Sequence, residues 1–98
     1  MELLPIGSIV LLDDIEQKVI IVGRCVSTKK DDNYEVFDYC GCLYPKGISN
    51  QDDLFVFESK NIQKVIFVGY EDKDEKERSE LIKSVDNIYK NIMADSET

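Results

Sequence analysis

The sequence predicts an α+β fold, with a small five-stranded antiparallel, SH3-like bent sheet or barrel followed by a C-terminal amphipathic helix. Two observations lead to this prediction. Short β-branched and apolar segments alternate with polar turns through the first two thirds of the chain, and apolar residues recur at helical spacing in the last third. At 98 residues, the chain is expected to form one domain, with the sheet over about 4–70, the helix over about 72–93 and a disordered tail at 94–98.

The first three strands follow from apolar runs and their periodicity. Residues 6–12 are mostly apolar and end at the acidic turn Asp13-Asp14, which predicts the first strand. Residues 17–26 contain an uninterrupted apolar run, which indicates a strand covered on both faces. After a charged hairpin loop, residues 34–43 alternate in character, so the third strand is expected to bury one face.

Two shorter apolar runs predict the fourth and fifth strands, over 54–57 and 62–69. The preceding segment 44–47 (YPKG) suits a type I turn because Pro45 presets φ at its second position. Residues 59–61 are expected to form a tight turn between these last two strands.

The C-terminal third is predicted to be a helix with one apolar face. Asp72 and Glu75 have the spacing of a capping box, and acidic residues suit the positive end of the helix dipole. The apolar face comprises Leu81, Ile82, Val85, Ile88, Tyr89, Ile92 and Met93.

The apolar surface of the predicted sheet exceeds what one helix can cover. A helix about 10 Å wide covers about two strands spaced 4.8 Å apart. Runs at 19–22, 54–57 and 65–68 are apolar on both sides, so about one strand's worth of apolar surface remains. Loops or tight curvature would cover it, or it forms a groove for a partner. The apolar face of the helix also has two interpretations. It packs on the sheet of its own chain, or it packs on a partner.

Composition excludes several function classes. The chain has 12 basic and 20 acidic residues, a net charge of −8 and no histidine. This balance disfavours binding to nucleic-acid phosphates or to anionic membranes. The absence of histidine removes Ser-His and Cys-His nucleophiles and every metal site that includes His. We therefore expect no catalytic residues and no enzymatic activity.

The three cysteines, at positions 25, 40 and 42, are too few for a disulfide framework and fit a reducing compartment. With Asp38 they would offer four zinc ligands, but their spacing differs from that of common zinc knuckles, and free cysteine ordinarily behaves as a small buried hydrophobe. We expect no metal and no cofactor. No targeting signal or membrane-spanning run is visible, which predicts a cytoplasmic protein.

Four segments in order resemble a known family: residues 4–12 (LPIGSIVLL), 20–24 (IIVGR), 38–47 (DYCGCLYPKG) and 62–72 (IQKVIFVGYED). Together they look like the family filed as domain of unknown function 4176. Its members are small cytoplasmic proteins of Gram-positive bacteria, commonly encoded beside LXG-domain toxins of type VII secretion. The family offers no established catalytic residues to carry over.

The resemblance implies a chaperone or targeting adaptor that covers the toxin's N-terminal helical domain. Large side chains near turns and outer faces, together with the helix stripe, are the expected partner-binding residues. They are Tyr39, Tyr44, Pro45, Phe55, Phe57, Tyr70, Leu81, Val85, Ile88, Tyr89 and Ile92. Arg24, Asp38 and Lys46 are expected to form a charged rim that sets specificity.

Three other functions stay open at this stage. An immunity protein that neutralises a cognate toxin domain is the nearest alternative, since an acidic surface matches a basic toxin. A nucleic-acid-binding barrel is disfavoured by the net charge. A metal-dependent enzyme would require bound zinc. The sequence also leaves a homodimer open.

Overall fold

The computed structural model describes residues 3–96, with side chains described for residues 3–29 and 31–85. The elements in chain order are β1 Ile9–Leu12, β2 Ile15–Lys30, β3 Asn33–Leu43, β4 Phe55–Phe57, β5 Ile62–Phe67 and the helix α1 Lys73–Ser96. Short 3₁₀ turns, Gln51–Asp53 and Ser59–Asn61, precede β4 and β5. The strands form one antiparallel sheet in the spatial order β4-β3-β2-β1-β5.

The predicted α+β fold is confirmed, with five antiparallel strands followed by a C-terminal helix. The sheet is open rather than closed into a barrel, because β4 and β5 lie at its two ends and do not pair with each other. The helix continues to Ser96, past the predicted end at residue 93. The last two residues of the expected tail lie outside the described residues.

The backbones of β3 and β2 approach each other closely at Gly41. A Cβ atom on Gly41 would lie 2.6 Å from the carbonyl oxygen of Ile20 and 3.1 Å from the Phe57 ring. The β2–β3 register also shifts between Ile21 and Gly23, which indicates a β-bulge. Glycine at position 41 therefore allows a strand approach that a larger residue would block.

One face of the sheet carries the hydrophobic core. Its buried residues come from four strands and alternate along each chain segment, as the pleat requires. They are Val10, Leu12, Val19, Ile21, Tyr39 and Phe57. The Tyr39 and Phe57 rings stack with their centroids 5.5 Å apart, and the Tyr39 hydroxyl accepts a hydrogen bond from the Leu4 backbone N–H at 3.0 Å.

The segment before β1 is fastened to the sheet by backbone and serine hydrogen bonds. Gly7 N–H donates to the Ile21 carbonyl at 2.8 Å, and Ile21 N–H donates to the Ser8 carbonyl at 2.9 Å. The buried Ser8 hydroxyl donates to the Pro5 carbonyl and accepts from the Gly69 N–H. Because a Cβ atom on Gly69 would lie 2.3 Å from the Ile6 carbonyl oxygen, the chain leaving β5 is held tightly against this segment.

The helix begins as the sequence predicts. The Asp72 carboxylate accepts a hydrogen bond from the Glu75 N–H at 2.9 Å, which is the interaction of an N-cap residue. Lys76 N–H donates to the Asp72 carbonyl at 3.1 Å, which closes the first turn.

A buried arginine docks the helix on β2. The Arg24 side chain is only 3% exposed, and its Nη1 forms an ion pair with the Glu75 carboxylate. The same nitrogen donates to the Ser79 hydroxyl at 2.8 Å and contacts the Leu4 carbonyl at 3.5 Å. Ser79 in turn donates to Glu75 at 2.9 Å. This network holds the first two turns of α1 against the β2 strand and the N-terminal segment.

Replacing Arg24 with alanine is expected to lower the free energy of unfolding by about 3–5 kcal/mol, because Glu75 would stay largely buried without its partner. The matched control is Lys46→Ala, which removes the ion pair between Lys46 and Asp53. The Lys46 side chain is largely exposed. That change is expected to cost less than about 1 kcal/mol. Urea denaturation of both variants measures the difference. Equal small losses would contradict the assignment of Arg24 as the docking residue.

Candidate functional site

Two of the predicted binding residues belong to the core instead. Tyr39 and Phe57 are buried and stack on each other, so neither side chain contributes to an exposed surface. The alternating residue pattern of β3 correctly assigns its side chains to the two faces of the strand. It does not say which face the sheet buries, and large aromatic residues satisfy the core as readily as an interface.

The other predicted residues fall into three groups. Phe55 is half-buried and packs against the core. The exposed residues in the described part of the set are Tyr44, Pro45, Tyr70, Leu81 and Val85. The side chains of the remaining three, Ile88, Tyr89 and Ile92, lie outside the described residues.

An exposed apolar strip runs along β5 and the residues that follow it. We call it the β5 surface, and its members are Ile6, Val65, Ile66, Phe67, Val68 and Tyr70. Phe67 is 57% exposed and Tyr70 is 78% exposed. Exposed apolar side chains clustered in this way are typical of an interaction surface.

A groove adjoins the β5 surface at Ile66 and is lined by residues from β1, β2 and the end of β3. Its volume is about 640 Å³, and it is lined by Leu11, Glu16, Gln17, Lys18, Leu43, Tyr44, Pro45, Lys46 and Ile66. Ile66 belongs to both sets of residues, so the groove adjoins the β5 surface at that residue. Lys18 Nζ lies 5.7 Å from the centre of the Tyr44 ring and fixes a charge at the groove wall.

The loop that forms one groove wall is held by Asp53. Its carboxylate accepts from Lys46 Nζ at 2.9 Å and from the backbone N–H groups of Ser49 and Asn50 at 2.6 and 3.1 Å. These hydrogen bonds, with that of Lys46 first in importance, lower the pKa of Asp53 from 3.8 to about 2. One carboxylate near the end of the β3–β4 loop therefore holds residues from the beginning and the middle of that loop.

The turn at the start of this loop differs from the predicted type I turn. The Gly47 N–H donates to the Leu43 carbonyl at 2.9 Å, so the closed ring contains one more residue than a β-turn. The Tyr44–Pro45 peptide bond is cis, and Gly47 has φ of +74°. The prediction placed Pro45 correctly in a turn, but tertiary contacts select a different geometry.

A second hollow lies between the far end of the β2–β3 hairpin and the helix. Its volume is about 680 Å³, and it is lined by Cys25, Ser27, Asp32, Asn33, Tyr34, Val36 and Val85. Tyr34 is exposed, with Lys29 Nζ 5.9 Å from its ring centre. The exposed part of the helix stripe, Leu81 and Val85, extends this hollow's apolar edge, whereas Ile82 is buried.

The ionisable groups of the described residues give no recognisable catalytic arrangement. No group of three or more Cys, Asp or Glu side chains within the described residues is placed to hold a metal ion. Partial burial and the neighbouring Cys42 raise the pKa of the Cys40 thiol, which keeps it protonated and weakly nucleophilic at neutral pH. Burial, followed by the adjacent Asp38 carboxyl group, raises the pKa of Glu58.

The predicted charged rim is corrected at Arg24. That residue is buried in the helix-docking network and is not a rim charge. Asp38 is half-buried and accepts a hydrogen bond from the Ser59 N–H at 2.9 Å. Lys46 is exposed at the groove and is the one of the three that lies at the rim of the site.

Sequence reasoning missed five candidate binding residues, namely Ile6, Val65, Ile66, Phe67 and Val68. The signal that could have found them is the run at 65–68, which is apolar on both sides although its strand is last in the sheet. A terminal strand has only one neighbour, so residues on both of its faces have less cover than those of a central strand.

Comparison with known proteins gives one match. The family model described as "Domain of unknown function (DUF4176)" matches residues 3–78. No curated protein and no solved structure matches the chain. Within the described residues, no helix combines the length and the apolar character needed to cross a bilayer.

Replacing Asp53 with asparagine is expected to lower stability above pH 4 and to have little effect near pH 2. The folded-state pKa of Asp53 is about 2, below the ordinary value of 3.8, so its stabilising contribution is complete above the ordinary value and disappears as the pH falls through 2. Thermal unfolding of the wild type and the variant between pH 2 and 6 measures this convergence. Asp52→Asn is the control for loss of a nearby charge, and a constant difference at every pH would contradict the prediction.

Proposed function

The chain belongs to the family described as domain of unknown function DUF4176, and we propose that it is a non-catalytic chaperone or targeting adaptor for an LXG-type toxin exported by type VII secretion. Its client is the toxin's N-terminal helical domain, whose apolar seams it covers in the cytoplasm before export. The resemblance to proteins encoded beside such toxins supports the choice of client.

The observation that supports a binding role is the set of exposed apolar side chains formed by the β5 surface and the adjoining groove. It extends from Tyr44 and Pro45 through Ile66 to Tyr70, and large apolar side chains along it are exposed. A chain of 98 residues has few apolar side chains to spare from its own core. Their concentration on and beside the terminal strand β5 therefore indicates that another molecule covers them.

The mixed apolar and charged lining of the groove suits an amphipathic helix. A helix with its side chains is 10–12 Å across, and recognition by an apolar groove uses anchor residues spaced along one helix face. Leu11, Tyr44 and Ile66 provide apolar contacts, while Glu16, Lys18 and Lys46 provide charges of both signs. Charges at the rim would select the register and orientation of the bound helix.

Magnitudes indicate that several anchors must act together. Burying one large apolar side chain contributes about 1.5–3 kcal/mol, whereas association costs about 4–15 kcal/mol in lost freedom of motion. A single exposed aromatic residue would not hold a client. The β5 surface and the groove together supply enough side chains for stable binding.

An immunity role is the alternative that the charge favours. A net charge of −8 would steer the protein to a basic toxin domain. The two roles differ in the part of the toxin that is bound, since an adaptor binds the N-terminal helical domain and an immunity protein binds the toxic C-terminal domain.

The test is co-expression with each toxin fragment, followed by co-purification and measurement of the dissociation constant. We expect the N-terminal helical domain to be recovered and Tyr44→Glu to weaken its binding by more than about tenfold, because a charge would enter the apolar groove. Tyr34→Glu is the matched control, since it adds the same charge at an exposed tyrosine outside the groove.

Recovery of only the toxic domain, together with protection from killing, would replace the adaptor role with immunity. Equal effects of Tyr44→Glu and Tyr34→Glu would exclude the groove as the binding site. Circular dichroism of each variant establishes that the fold is retained.

A further inference from the structure

The β5 strand has one open edge. It pairs with β1 on one side, and no described strand pairs with its other side. Six residues at about 3.3 Å each give an edge about 20 Å long. Backbone N–H and C=O groups along such an edge can pair with an added strand.

The open edge has little of the protection that proteins place on exposed strands. Pro, several charges or a short length commonly prevent pairing with other chains. β5 contains no proline and one charged residue, Lys64, and its last three residues are the exposed Val65, Ile66 and Phe67. The register shifts of β5 lie against β1, which is the edge already paired.

We propose that a second copy of this chain pairs with β5 through this edge, antiparallel, with Val65 of each copy opposite Val65 of the other. A two-fold axis perpendicular to the sheet then passes between the two valines. Lys64 lies opposite Ile66 of the other copy, and Gln63 lies opposite Phe67. The two five-stranded sheets become one continuous sheet of ten strands.

The sequence of β5 favours this register over its neighbours. Centring the axis on Lys64 would place two lysines directly opposite each other, which is destabilising. Centring it on Ile66 would leave more of the strand unpaired, because β5 ends at Phe67. The register at Val65 pairs five of the six strand residues and keeps the like charges apart.

Charge along the edge favours a second copy as the occupant. Lys60 precedes β5 and Lys64 lies within it, while Glu71 follows its end. Antiparallel self-pairing brings the basic end of one strand towards the acidic end of the other. The acidic residue Asp13 donates its N–H to the Asn61 carbonyl and therefore lies on the β1 side, away from the open edge.

The paired arrangement leaves the groove open. A two-fold axis perpendicular to the sheet places both grooves on the same side of the ten-stranded sheet, where each retains Tyr44 and Ile66. The dimer therefore does not depend on the proposed client. It would present two adjacent grooves to one long helical domain or to two copies of it.

The test is the molar mass in solution, measured by light scattering from micromolar to near-millimolar concentration. We expect the wild type to approach twice its 11.3 kDa mass. Val65→Lys and Val65→Glu should each be monomeric, because like charges would meet at the two-fold axis, and an equimolar mixture of the two should form dimers again. Leu81→Lys, at an exposed position on the helix, should remain dimeric.

A monomeric wild type over the whole range would overturn the proposal, and so would a mixture of the two Val65 variants that stays monomeric. If those variants fail to fold, hydrogen exchange of the wild type at low and high concentration decides the matter. Slower exchange in residues 63–67 at high concentration supports the dimer, and unchanged exchange there excludes it. Binding of the toxin's N-terminal helical domain by the wild type, at a concentration at which it is monomeric, separates this outcome from that of the proposed function.

Discussion

The buried guanidinium of Arg24 determines which part of the sheet the helix covers. It holds Glu75 and Ser79 against β2, so the helix starts over the β2 strand and the N-terminal segment. β5 lies two strands from β2, beyond β1, and keeps its apolar side chains exposed. A buried ion pair is costly to form but strongly resists the loss of one partner, and here it sets the position of the helix relative to the exposed surface.

Because the β5 surface and the groove are exposed, the rest of the molecule has to prevent unspecific association. A net charge of −8 disfavours unspecific association. The Asp53 carboxylate keeps the loop beside the groove in place through Lys46, Ser49 and Asn50, while Gly69 packs the end of β5 against the N-terminal segment. The apolar surface is therefore presented on a rigid support, which lowers the conformational cost of binding a partner.

Local sequence patterns predicted the elements well because their causes are local. The apolar runs gave the strands, and Asp72 with Glu75 gave the beginning of the helix. The burial of Tyr39 and Arg24 could not be predicted in the same way, because both depend on contacts with residues far away in the chain. Pattern reasoning found excess apolar surface, but only the strand order shows that the uncovered strand is β5.

The central claim is that the protein acts by covering a helical client with its exposed apolar side chains. Hydrogen exchange with and without the purified LXG N-terminal domain, at a concentration at which this protein alone is monomeric, tests that claim most directly. The account predicts slower exchange on complex formation in residues 44–47 and 62–70, with the hairpin end around Tyr34 unchanged. Protection confined to the hairpin end, or no complex under conditions where both proteins are folded, would contradict it.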